Sequence, residues 1–215
     1  IHVRNLKRHK EYKQVFKRLY EYIKIHKTPT SIIYVAGDIV HSKTELSPEV
    51  VSMVSEFFIS LCDLCPTIVI TGNHDCNLNN ATRLDAISPI VDAIQHPNMY
   101  YLRDTGLYQL GNITFNVMSV FDAPAKFIPG NSFTAEYKIA LHHGAVNNAT
   151  TDLGAILSNT NVKNSLFDNH DLVLLGDIHK RQILQNYKPA SEATNNITYP
   201  AIAYPGSLVQ QNHAE

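Results

Sequence analysis

Apolar residues recur at Tyr12, Val15, Phe16, Leu19, Tyr20 and Ile23, with lysine and arginine between them. That spacing lines one face of a helix, and Pro29 ends it. Residues 31–36 are then a continuous apolar run rich in β-branched side chains, which predicts a strand buried on both faces. Ser47-Pro48-Glu49 predicts a helix start, with serine as N-cap and proline in the first turn. That helix turns Val50, Val51, Val54, Phe57, Phe58 and Leu61 inward and stops before Pro66. A second buried strand follows at 67–70, and the spacing over 81–95 predicts a helix broken at Ser88-Pro89. Such alternation marks a sheet covered by helices.

From residue 99 the pattern shortens. Residues 99–102, 108–110 and 113–120 read as strands separated by Asp104-Thr105-Gly106 and Gly111-Asn112, which predicts hairpins. Residues 123–136 read as a loop, 138–141 and 171–175 as short apolar strands, and 182–209 as further strands around two Tyr-Pro pairs. No repeat or linker interrupts the chain, so a single domain is the economical reading.

Composition narrows the class. The chain has 215 residues and an ordinary apolar fraction of 44%, which excludes wholesale disorder. No apolar run approaches the roughly 20 residues of a membrane span, and the first eight residues are polar and basic rather than a signal peptide. A cytoplasmic location, or a nuclear one in a eukaryote, is therefore expected, with no secretion and no membrane partner. Cys62 and Cys65 have CxxC spacing without the second half of a zinc site, so they read as reduced, packed thiols. Half of the Lys and Arg residues precede Pro29, offset there only by Glu11 and Glu21. A basic first helix can touch phosphates, although such faces are more often simply solvated.

The chemistry lies where the strands end. Four apolar strands run into Gly37-Asp38-Ile39-Val40-His41, Gly72-Asn73-His74-Asp75, His142-His143-Gly144 and Gly176-Asp177-Ile178-His179. In open α/β sheets ligands bind beyond the carboxyl ends of the strands. Carboxylate, carboxamide and imidazole without thiolate suit manganese, iron or zinc, and a carboxylate such as Asp38 can bridge two ions. Each motif alone is compatible with turn chemistry. All four together point to a metal site.

In this order the motifs resemble the calcineurin-like metallophosphoesterase superfamily. The segment from Tyr204-Pro205-Gly206-Ser207 through Gln210-Gln211-Asn212, with Glu215 beyond, resembles its SbcD nuclease branch, as does Lys180-Arg181 after the last motif. The resemblance covers essentially the whole chain. It implies an α/β fold in which a two-sheet β-sandwich is flanked by helices in four αββα layers, and one catalytic domain over 1–215. It implies a DNA nuclease of break repair and recombination that uses two divalent ions, manganese foremost and iron or zinc otherwise. An SbcC-type ATPase subunit and a homodimer are the implied partners. His2, Asp38 and His179 would hold one ion, and Asp38, Asn73, His142 and Asp177 the other. His74 would be the acid that helps the leaving oxygen depart or would steady the phosphate, and His41 would position substrate nearby. His143 is the second choice for the His142 role, because it is expected one residue past its strand.

Two departures qualify the likeness. The family opens with Asp-x-His where this chain begins Ile1-His2, so an aspartate and a first strand are expected upstream and a small DNA-capping domain downstream. Asp177 stands where many members have histidine, which adds negative charge and favours a harder ion. Two other readings stay open: a phosphatase or nucleotide phosphodiesterase with the same metal site, and a non-catalytic scaffold.

Overall fold

The computed structural model describes residues 1–193 and 195–211. The chain divides into two compact units, residues 1–102 and the residues from Arg103 onward.

The first unit alternates helix and strand: α1 (His9–His26), β1 (Ile33–Val35), α2 (Pro48–Cys62), β2 (Thr67–Val69), α3 (Ser88–Ile94) and β3 (Met99–Tyr101). The strands pair in the order β1-β2-β3, all parallel, and the helices between them supply the crossovers that parallel neighbours need. Helix α1 buries Tyr12 and Phe16, and the Phe16 ring lies 4.3 Å from that of Phe57 on α2. Burying rings of this size contributes about 1.5–3 kcal/mol each. Helix α2 starts as its sequence predicts, with the Ser47 hydroxyl accepting from the Val50 N–H at 3.4 Å. Cys62, Cys65 and Cys76 are buried thiols outside any disulfide.

The helix expected over 81–95 is shorter than its apolar spacing suggests. The Asp85 carboxylate accepts from the N–H of Ile87 and Ser88 at 2.9 and 2.7 Å and from the Ser88 hydroxyl at 2.8 Å. Those bonds satisfy the first donors of a helix that begins at Ser88, where Pro89 needs none. Upstream, the Asn80 side chain holds Thr82 in a turn instead.

The second unit is one sheet in the order β4-β5-β6-β7-β9-β8. Its strands are β4 (Gly106–Leu110), β5 (Ile113–Met118), β6 (Tyr137–His143), β7 (Leu172–Gly176), β8 (Gln182–Gln185) and β9 (Ala201–Tyr204). β4 and β5 form the hairpin expected at Gly111-Asn112, and β5, β6, β7 and β9 run parallel. No hairpin forms at residues 104–106, because β3 and β4 belong to different sheets. Side chains of that segment serve β5 instead: the Ser119 N–H donates to Thr105 Oγ1 at 3.0 Å, and the Ser119 hydroxyl to the Arg103 carbonyl at 2.7 Å. The core gathers Met118, Phe167, Val173, Leu175, Ile202 and Tyr204. The fold class expected from the sequence is thus present as two sheets with helices. Among the described residues no helix is long and apolar enough to cross a membrane.

Candidate metal centre

In the first unit the tips of β1 and β2 meet the first residues of the chain. Val3 bridges Val40 in parallel, with His2 N–H to Asp38 carbonyl at 2.8 Å and His41 N–H to Val3 carbonyl at 3.0 Å. The Tyr12 hydroxyl of α1 donates to the His2 carbonyl at 2.6 Å, so helix α1 fixes this segment from behind. His2 and Asp38 are both buried, and both hold left-handed backbone, at φ 56° and 52°. Non-glycine residues adopt that conformation at a cost, and such strain concentrates at functional sites. Gly37 precedes Asp38 with φ 79°, so the turn begins without strain.

The side chains converge. His2 Nε2 lies 3.3 Å from Asp38 Oδ2, and Asp38 Oδ1 accepts the His74 N–H at 2.9 Å. His2, His41 and His74 each place a ring nitrogen within 4.8 Å of the others. The His74 Nδ1–H donates to the His41 carbonyl at 2.8 Å, which fixes the ring and leaves Nε2 for other work. His41 Nε2 accepts from the Arg4 guanidinium at 3.3 Å, while its Nδ1 is buried with no hydrogen-bond partner among the described residues. Burial first, then the Arg4 and His74 charges, hold the His41 pKa below the usual imidazole value. A pocket of about 220 Å³ opens between His41, Ser42, Lys43, Thr44, Asn73 and His74.

Two further residues build this arrangement. Asp75 is fully buried, and its carboxylate accepts from Val40 N–H at 3.0 Å and Gly72 N–H at 2.9 Å, which clamps the two motif loops together. Gly72 lies so close to Asp38 that a Cβ there would sit 2.2 Å from its amide nitrogen and Oδ1. Sequence reasoning counted Asp75 within a motif but gave it no role, since a clamping carboxylate and a ligating one are written with the same letter.

The second unit carries His142, His143, Asp177 and His179. Strand β6 includes His143, so this residue does not lie past the strand as expected. Successive residues of a strand face opposite ways. The His142 Nδ1–H donates to the Met118 carbonyl at 3.1 Å, its Nε2 packs against Gly144, and burial pushes its pKa down to about 4. His143 is buried too, but its Nε2 lies 3.9 Å from Asp177 Oδ1. Asp177 is another left-handed residue, at φ 87°. His179 Nδ1 lies 3.9 Å from Oδ2 of Asp152, a carboxylate the sequence did not mark out because Thr151-Asp152-Leu153-Gly154 reads as an ordinary turn.

The Tyr-Pro-Gly-Ser segment meets this site. The Tyr204 hydroxyl donates to the Gly144 carbonyl at 2.8 Å and accepts from Val146 N–H at 3.0 Å, pinning the loop after His143. Ser207 N–H donates to the His179 carbonyl at 2.9 Å. Gly206 stands at φ 80° where a Cβ would meet that same carbonyl at 2.7 Å. The last two positions of the motif, Asn212 and Glu215, lie outside the described residues.

The family model for calcineurin-like phosphoesterases matches residues 1–181. The chain is also similar to the uncharacterized protein R555 of Acanthamoeba polyphaga mimivirus, with 43% identity over 227 residues. That alignment takes in 100% of this chain but only 16% of the viral protein, so the chain spans a small part of the relative it matches.

Proposed function

The chain belongs to the calcineurin-like phosphoesterase family, and from that premise we propose that it is the catalytic part of a DNA nuclease of the SbcD type. The observation that carries the reading is the first-unit cluster, in which His2 and Asp38 stand 3.3 Å apart on strained backbone beside His74. A donor set of nitrogen and oxygen without thiolate fits divalent manganese, with iron or zinc as alternatives. Within the first unit His2, Asp38 and Asn73 are the donors available to an ion, and within the second unit Asp177 and His179 are. For the remaining imidazole we place His143 ahead of His142, because the His143 Nε2 stands 3.9 Å from Asp177 Oδ1. When bound, the ions acidify a water and neutralise charge on the phosphate.

The chain's own residues do the rest. His74, oriented through Nδ1, keeps Nε2 as the nitrogen that hands a proton to the leaving oxygen. Arg4, bonded to His41, brings a guanidinium to the substrate side, and the neutral His41 ring positions the phosphate. The preference for DNA is supported by the Ser207–His179 contact of the branch-specific segment and by α1. That helix carries Lys10, Lys13, Lys17 and Lys24 exposed along one side and fixes the His2 backbone through Tyr12. The same reading calls for an SbcC-type ATPase partner and a cytosolic or nuclear location. It also calls for a homodimer; on α2 the exposed apolar residues are Ile59 and Val51, the latter expected from its spacing to face inward.

The test is degradation of end-labelled duplex DNA with manganese or magnesium, run beside a His74→Ala variant. Manganese-dependent cleavage that falls by roughly 100-fold or more in the variant is expected. Hydrolysis of bis(p-nitrophenyl) phosphate with DNA untouched would move the reading to a phosphatase or nucleotide phosphodiesterase. No bound metal would leave the scaffold.

A further inference from the structure

The loop that leaves β6 carries a carboxylate that the family motifs leave unexplained. Asp152 Oδ1 is buried with no hydrogen-bond partner among the described residues, while Oδ2 lies 3.9 Å from His179 Nδ1. A buried carboxylate oxygen without a donor is costly, so the fold holds it there against that cost.

Its placement is built by specific bonds. The Gln182 amide grips the backbone of Thr150 twice, accepting from its N–H and donating to its carbonyl, both at 2.8 Å. The next residues close a tight turn: Thr151 N–H reaches the Ala155 carbonyl at 2.9 Å, and Gly154 N–H reaches the Thr151 carbonyl at 2.9 Å. Gln182 opens β8 three residues after His179. The stretch that presents the histidine therefore also holds the loop that presents Asp152 to it.

We propose that Asp152 is the positioning residue for His179. Its carboxylate accepts the Nδ1–H, selects that tautomer and turns Nε2 toward a divalent ion, as outer carboxylates do for metal-bound histidines. The inference rests on the metal-dependent reading above. The present 3.9 Å separation is ion-pair distance. Ligation of Nε2 makes Nδ1–H a stronger donor and draws the two groups to hydrogen-bond length.

The experiment is manganese binding, followed by the electron paramagnetic resonance signal of the free ion, for the wild-type protein and the Asp152→Ala and Asp152→Asn variants. Metal-free melting is recorded for all three. Asp152→Ala is expected to bind manganese about 10–100-fold more weakly. Asparagine, which still accepts from Nδ1–H, is expected to recover most of that loss, and this recovery separates positioning from a folding defect even where alanine lowers the melting temperature. Wild-type affinity in the alanine variant would overturn the proposal. So would an asparagine variant as weak as alanine, because the carboxylate would then be a ligand itself. A wild-type protein that binds no manganese would overturn the metal reading along with it.

Discussion

Asp75 and His74 are neighbours in the chain and opposites in role. His74 offers a nitrogen to solvent-reachable space, whereas Asp75 is fully buried and spends both oxygens on the N–H groups of Val40 and Gly72. Each orphaned buried donor costs about 1–3 kcal/mol, so Asp75→Ala is expected to lower unfolding free energy by about 2–6 kcal/mol. His74→Ala is expected to change it by less than about 1 kcal/mol while removing activity. Urea unfolding of the two variants checks this, and equal midpoints would contradict the division of labour. At this scale the sequence showed which residue types gather at the strand tips. It could not show that the His142 Nδ1–H is bonded to the Met118 carbonyl while the His143 Nε2 stands near Asp177. Nor could it reveal Asp152, whose relation to His179 depends on a loop held by Gln182.

Strands and their tips were more legible than helices and loops. Every strand expected around a motif exists, because a run of β-branched and apolar residues packs well in a sheet, although only β2 is buried throughout. The stretch 81–95 misled because apolar spacing carries no information about where the first helical N–H groups find acceptors, and Asp85 supplies them only from Ser88 on. The Tyr-Pro-Gly-Ser segment was legible as a family mark but not as a structural part. Its tyrosine ends β9 and holds the loop after β6 through one donated and one accepted bond. Tyr204→Phe keeps the ring and strands both partners, so a loss of about 1–3 kcal/mol is expected in denaturant unfolding. Faster amide hydrogen exchange at Val146 is expected with it. Unchanged exchange there would mean that water replaces the hydroxyl and that the loop is held by other means.

Across the whole molecule the proton inventory follows from burial. His142 has a pKa of about 4 in the folded protein, set chiefly by burial, against about 6.5 in an unfolded chain. Burial lowers the fully buried His170 in the same direction, with its Nδ1–H on the Phe167 carbonyl and its Nε2 facing Asn116. As pH falls below about 6.5, the unfolded chain takes up protons that the folded protein refuses until much lower pH. The unfolded state then binds more protons, and stability decreases with acidification. The stability held by a neutral His142 is therefore fully present above about pH 6.5 and is lost as pH falls toward about 4. A fall from about 6.5 to about 4 amounts to roughly 3 kcal/mol for this one ring. The metal-free protein should show it as a falling urea midpoint between those pH values. A His142→Gln variant, less stable at neutral pH, should show a shallower slope and keep only what His170 and the other titrating groups contribute. An unchanged slope would mean that the His142 ring is protonated in the folded state already. Its Met118 bond would then hold an imidazolium, whose Nε2 has no lone pair to offer a metal ion.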